Sequence, residues 1–129
     1  MNGRFLLDTN IVIALFAKEV GVQQRLAAAS EVFVPSVVLG ELYYGARKSV
    51  RVEANIARVD AFAASSAVLV SDAATARQYG AIKNALRAKG RPLPENDIWI
   101  AAVAKQYDLT LVSRDGHFDE IAGLTVAAW

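Results

Sequence analysis

The sequence predicts an α/β sandwich: a mostly parallel central sheet flanked by helices. Two observations carry that expectation. The run Phe5-Leu6-Leu7 is apolar without a break, as in a strand buried on both faces rather than one half-solvated. Short strand-like runs then alternate with longer helical ones along the chain, the pattern of a parallel sheet covered by helices. No repeat, low-complexity segment or linker interrupts it. The 129 residues are therefore expected to form one domain, spanning 1–129. A domain of this size buries roughly two-thirds of its extended-chain surface, enough for a core of its own.

In order, the first strand ends at Asp8, and Thr9 and Asn10 are placed to cap the helix that begins Ile11-Val12-Ile13-Ala14-Leu15-Phe16. A second helix runs from Val20 to Ala29. Val32-Phe33-Val34 is a strand stopped by Pro35, and Ser36 is placed to cap a helix from Val37 to Ala46. Val50 to Ala64 reads as amphipathic through Ile56, Val59, Phe62 and Ala63. Ala67 to Val70 is a third strand. Ser71 or Asp72 caps a long helix that reaches about Lys89, where Gly90 closes it and Pro92 and Pro94 forbid its continuation. Asn96 is expected to cap a helix from Asp97 to Tyr107. Thr110 to Ser113 is a fourth strand, Arg114 to Gly123 a loop with one helical turn, and Leu124 to Val126 a last strand.

Composition narrows the function classes. Apolar residues make up 54% of the chain, above the usual ~45–50%. That surplus, inflated by alanine, points to an oligomer interface or a covered groove. The formal net charge of +1 argues neither for nor against nucleic acid, so the placement of charge decides. With no cysteine, a disulfide framework, a thiolate metal site and a cysteine nucleophile are excluded. No signal-peptide pattern opens the chain and no apolar run reaches the ~18 residues of a membrane span. A soluble, cytoplasmic protein is expected, without a membrane partner.

Four acids stand in apolar company. Asp8 follows a buried strand, and a carboxylate there opens into the crevice where α/β folds hold ligands. Glu41 lies within Val37-Val38-Leu39-Gly40-Glu41-Leu42-Tyr43-Tyr44, apolar nearly all round and so expected to be buried. A buried carboxylate requires a proton, a cation or a metal. Asp97 opens the helix Asp97-Ile98-Trp99-Ile100-Ala101-Ala102-Val103. Asp115 repeats the placement of Asp8 after another strand. Singly, each has an ordinary explanation: a cap, an ion pair, the helix dipole. Together, on elements able to converge at one sheet edge, they cannot all ionise without a cation, because like charges raise one another's pKa. Oxygen ligands suit a hard divalent ion, Mg²⁺ or Mn²⁺, and paired ions of that kind act on phosphodiesters. The chain has no phosphate-binding GxxxxGK[ST] loop. His117, its lone histidine, falls in a loop and is expected to be non-catalytic, since a metal-bound water needs no histidine.

The segments Leu7-Asp8-Thr9-Asn10, Leu39-Gly40-Glu41-Leu42-Tyr43-Tyr44-Gly45, Gly90-Arg91-Pro92 through Asn96-Asp97-Ile98-Trp99-Ile100-Ala101-Ala102, and Leu111-Val112-Ser113-Arg114-Asp115-Gly116-His117-Phe118 together resemble a PIN domain. More narrowly they resemble the VapC toxins of bacterial toxin–antitoxin pairs. The match runs in order over nearly the whole chain. It implies a single PIN-like fold and a metal-dependent endoribonuclease held inactive by a cognate VapB-like antitoxin, in a homodimer or a toxin–antitoxin hetero-oligomer. It maps the acidic ligands onto Asp8, Glu41, Asp97 and Asp115, with Asp119 able to share the role of Asp115. It also places Asn10 and Ser113 beside the ligands, Asn10 on an Asp8 oxygen or a bound water and Ser113 on a water or a phosphate.

From Ala73 to Pro94 the chain carries five basic residues and no acid: Arg77, Lys83, Arg87, Lys89 and Arg91. Such local concentration suits a phosphate backbone. Lys89 and Arg91, just before the Asp97 helix, are the best placed for a phosphate near the metal. Tyr43, Tyr44 and Tyr79 have the spacing of core aromatics rather than of base-stacking platforms. Two other readings stay open: a PIN nuclease acting on DNA or structured RNA in processing or repair, and a regulatory α/β domain such as a phospho-acceptor receiver. Against the receiver, Arg114 and Asp115 do not supply its paired acids and late lysine. Against a haloacid-dehalogenase-like phosphatase, Asn10 stands where a second acid is needed.

Overall fold

The computed structural model describes residues 3–129. Five parallel strands form one sheet in the order β3-β2-β1-β4-β5. They are β1 (Arg4–Leu7), β2 (Glu31–Pro35), β3 (Ala67–Leu69), β4 (Thr110–Val112) and β5 (Val126–Ala127). Six α-helices flank it: α1 (Thr9–Phe16), α2 (Val20–Ala28), α3 (Ser36–Arg47), α4 (Val52–Ala64), α5 (Ala73–Ala88) and α6 (Glu95–Gln106). A 3₁₀ helix spans Gly116–Glu120. No helix among the described residues is long and apolar enough to cross a membrane.

The strand order explains where a site can form. From β1 the chain steps outward to β2 and β3, then crosses back through α5 and α6 to lay β4 on the other side of β1. The direction of winding reverses between β1 and β4, and the carboxyl ends at such a reversal leave a crevice between diverging helices. In register, Leu7 faces Val112, and the amide of Asp8 continues the ladder by donating to the Val112 carbonyl at 3.0 Å. Asp8 and Ser113 are each the next residue along, so pairing alone puts them side by side at the crevice.

Leu6, Ile11, Val12, Val38, Leu111 and Val112 show no solvent exposure, and β1 is a strand covered on both faces, as its unbroken apolar run predicts. Helix α6 is nearly enclosed too, with Ile98 and Ile100 to Ala104 buried. It packs along α5, while α3 packs along α4.

Local boundaries depart from expectation for identifiable reasons. Helix α1 begins at Thr9, because Asp8 itself is the cap, accepting from the Thr9 amide at 2.8 Å. Pro35 and Pro94 stand at the N-caps of α3 and α6, so Ser36 and Asn96 become helical residues. Proline, lacking an N–H and preset in φ, suits the edge of a helix. Asp72 caps α5 through a reciprocal box with Thr75. Gly90, at φ +68°, closes that helix, in a conformation that glycine adopts without steric cost.

Phe118 is fully buried and fastens the 3₁₀ turn to the core. Phe118→Ala should lower stability by ~3–5 kcal/mol, because apolar packing disappears and a cavity remains. Denaturant unfolding measures this; a change under ~1 kcal/mol would mean that the turn is not held by this side chain.

Candidate functional site

Asp8 is the most constrained acid of the chain, only 5% exposed. One of its oxygens accepts from the Thr9 amide and the other from the Ser113 hydroxyl at 2.7 Å. The side-chain amide of Asn10 lies 3.5 Å from that second oxygen and 3.4 Å from Ser113 Oγ. The Asn10 carbonyl oxygen accepts from the Arg114 amide at 3.2 Å, and Ser113 Oγ accepts from the Asp115 amide at 3.0 Å. The first turn of α1 and the loop after β4 are thus tied to each other through polar groups at the switch point.

Glu41 comes from the second turn of α3. It is half-buried rather than buried, because α3 turns Val38, Leu42 and Ala46 to the core and leaves Gly40 and Tyr44 outside. The Thr9 hydroxyl donates to Glu41 Oε1 at 2.5 Å. Asp97 projects from the first turn of α6 and is partly buried. Asp115 caps the 3₁₀ turn, accepting from the His117 amide at 3.3 Å.

The imidazole of His117 stands between two of these acids. Its Nε2 lies 2.8 Å from Asp97 Oδ2 and its Nδ1 lies 2.8 Å from Asp115 Oδ1. Close as they are, neither contact is aligned as a hydrogen bond, and the Nε2 atom is buried against Asp97. Asp97, Asp115 and His117 each offer a ligand atom within 4.8 Å of the others. They form an acidic cluster able to hold a divalent cation. Glu41 lies near enough to Asp8 to raise its proton affinity, and both raise that of Asp97, but the two stand outside that tight group. Asp119 is exposed and does not join it.

Charge at the site is unbalanced. Burial pushes the Asp8 carboxyl above its ordinary value; the Ser113 and Thr9 hydrogen bonds oppose this, and Glu41 and Asp115 add to it. Burial also raises Asp97, with Asp8 and Glu41 reinforcing it and His117 opposing it. No lysine or arginine among the described residues forms an ion pair with any of the four acids. Arg114, the nearest in sequence, turns to Glu19 at 2.7 Å and to the Trp129 carbonyl at 2.8 Å. Such a donor set fits a hard cation: oxygens from several acids, two of them desolvated, without a lysine or arginine partner.

Of the basic run, Lys83 pairs with Glu95 at 3.0 Å and Lys89 with Glu120 at 3.4 Å. Arg87 and Arg91 are exposed, with no ion pair among the described residues. Tyr79 stacks on Trp99 at 4.2 Å, and the Tyr43 hydroxyl bonds Asp60 at 2.5 Å. Tyr44 is 64% exposed, so it departs from the core placement expected of it. A groove of about 420 Å³ runs between α1, α3 and α4. Ile13, Phe16, Leu42 and Val59 line its walls, Arg58 stands in it, and Thr9 and Glu41 mark the end nearest the acids.

His117 is the residue that sequence reasoning sets aside. A signal was present: Asp115-Gly116-His117 puts an acid and an imidazole on one tight turn, with two residues between it and a strand of the switch point.

Residues 5–124 match the PIN domain family. The chain is 36% identical over 129 residues to "Ribonuclease VapC2" of Haemophilus influenzae, with 98% of both chains covered. It is equally 36% identical to "tRNA(fMet)-specific endonuclease VapC" of Shigella flexneri, again over 98% of each. Its structure is similar to a chain in the crystal structure of DNA-bound VapBC from Salmonella typhimurium. There the TM-score is 0.91 at 32% identity, covering 100% of this chain and 99% of that one.

The raised Asp8 and Asp97 carboxyls have a thermodynamic consequence. A group whose folded pKa lies above its unfolded value stabilises the fold at low pH, and that stabilisation is lost as pH rises through the folded value. Above that range both acids are ionised and strain the metal-free protein. Asp8→Asn keeps a competent helix cap and removes one charge. In chelator, its melting temperature should exceed wild type by a few degrees at pH 7.5, with the gap closing toward pH 4. A variant destabilised equally at both pH values would show that the hydrogen bonds of Asp8 outweigh its repulsion.

Proposed function

Because the chain belongs to the PIN domain family, and within it to the VapC group, we propose that it is an endoribonuclease toxin that hydrolyses RNA phosphodiester bonds. The observation that carries this reading is the set of acids at the β1/β4 crevice, desolvated in part and without a lysine or arginine partner. Asp8, Glu41, Asp97 and Asp115 would hold Mg²⁺ or Mn²⁺. Such an ion activates a water and stabilises the charge that develops on the departing oxygen.

The chain's own residues supply order around that chemistry. Ser113 and the Thr9 amide fix both oxygens of Asp8, and the Thr9 hydroxyl fixes Glu41. Asn10 spans Asp8, Ser113 and the Arg114 amide, so it locks the two loops that frame the crevice. Carboxylates held in this way need no reorganisation when charge develops, which is where electrostatic catalysis gains most. Asp119 is left outside this arrangement.

RNA enters over the face that carries Arg87 and Arg91, whose charges are free for phosphate, with Lys83 and Lys89 contributing once their surface ion pairs yield. Exposed pairs of that kind are weak. The groove between α1, α3 and α4 takes an apolar segment of a VapB-like antitoxin, and its far end opens at Glu41. An amphipathic helix laid there would bury its apolar face and bring its tip to the acids. Two relatives of similar structure are solved as VapBC complexes bound to DNA. A homodimer or a toxin–antitoxin hetero-oligomer in the cytoplasm is the working form, and residues 1–129 act as a single PIN-like domain.

Asp97→Asn should lower Mg²⁺-dependent cleavage of RNA by ~10²-fold or more, the scale of removing an electrostatic stabiliser, while the fold is kept. Gel-resolved cleavage of total RNA together with circular dichroism checks both halves. Wild-type cleavage by this variant would remove Asp97 from the site.

Arg87→Ala with Arg91→Ala should weaken RNA binding and flatten its salt dependence, by ~0.7 in the log–log slope for each phosphate no longer neutralised. Titrations of single-stranded RNA at several salt concentrations read the slope. An unchanged slope would place both arginines on an ordinary solvated face.

A further inference from the structure

We propose that His117 is a ligand of the divalent ion, its Nε2 coordinating beside Asp97, and that this makes the site favour Mn²⁺ over Mg²⁺. The inference rests on the metal-dependent nuclease reading above and sharpens it.

The imidazole occupies the position a ligand needs. One ring nitrogen lies 2.8 Å from Asp97 and the other 2.8 Å from Asp115, and one ligand atom of each residue falls within 4.8 Å of the others. Nε2 is buried and makes no aligned hydrogen bond, although the Asp97 carboxylate stands 2.8 Å away, and a buried ring nitrogen so placed calls for a cation or a proton between the two. Its neighbour, Asp97 Oδ2, is an acceptor when ionised. Two electron-pair donors so close together need a cation between them, a proton or a metal ion, and the carboxylates gathered around this pair favour the doubly charged one.

The ring is also held in place before any ion arrives. Phe118, the adjoining residue, is fully buried, and its ring lies 4.9 Å from the imidazole. The His117 amide donates to Asp115, so the turn carrying the imidazole is closed by the same acid that sits beside Nδ1. A carboxylate against the second nitrogen of a metal-bound histidine is the usual orienting arrangement. Asp115 therefore acts on the ion in part through His117, as a positioning residue.

A nitrogen in the ligand set changes which ion is preferred. Mg²⁺ keeps oxygen ligands and water in a near-ideal octahedron. A first-row transition ion accepts imidazole more readily.

His117 is the only histidine in the chain, which makes the test direct. The full-length chain, without an affinity tag and stripped of metal, is loaded with Mn²⁺ and studied by pulsed EPR. A directly bonded nitrogen coupling is expected in the wild type. In His117→Gln that coupling should vanish while Mn²⁺ still binds through the carboxylates, and the Mn²⁺/Mg²⁺ affinity ratio should fall about tenfold or more. Mn²⁺ bound to the wild type without nitrogen coupling would overturn the assignment and leave the carboxylate site standing. A coupling that survives in His117→Gln would overturn it as well. Failure of Mn²⁺ to bind the wild type at millimolar concentration would overturn both this assignment and the metal-dependent reading beneath it.

Discussion

The interaction on which the site depends is the hydrogen bond from Ser113 to Asp8, between residues 105 positions apart in sequence. Neither residue is placed by its own neighbourhood. Leu7 faces Val112 in the sheet, and each functional residue is simply the next one along. A slip of one residue in that pairing would turn every side chain of a strand to the opposite face, and with it the carboxylate. The apolar faces of β1 and β4 prevent the slip, because both are enclosed. Core packing and site geometry are therefore enforced by the same register.

The second constraint is electrostatic, and it opposes the first. Burial that secures β1 also desolvates the acid at its end, so the proton affinity of Asp8 rises. Asp97 shares the fate for the same reason. A protein selected only for stability would place an arginine there. Instead the nearby Arg114 reaches outward to Glu19, and the acids face one another with an imidazole among them. Perturbed acids in a crevice are a mark of functional sites, and here burial is the leading cause at both residues.

Much of this is legible in the chain. Continuous apolar runs announce a doubly covered parallel sheet, and an acid directly after one of them, Asp8, with another, Asp115, soon after a second, locates one edge. What cannot be read is relative placement in three dimensions. Glu41 reads as buried because its helix is apolar in composition, yet only one stripe of α3 meets the core. The caps of α3 and α6 differ from expectation because serine and asparagine are the better cap formers in general, whereas proline holds those two positions through its fixed φ. His117 escapes sequence reasoning because a loop residue carries no periodicity to reveal its direction. Only the buried Phe118 beside it determines that the imidazole turns inward. The basic run looks uniformly available in sequence, but the acids that engage Lys83 and Lys89 are Glu95 and Glu120, on other elements.

The winding order of the sheet has a consequence in time as well as in space. The strands β1, β2 and β3 leave the ribosome first and are neighbours in the sheet, so they can begin to pair while the chain is still growing. The strand that seats Asp8, β4, is made later and arrives only after the α5/α6 crossover. Domains fold as units once enough of the chain has emerged. A nascent or truncated product lacking β4 thus carries its first acid without the neighbours that orient it. The acidic site is therefore completed only once β4 and the turn after it, with Asp115 and His117, have emerged.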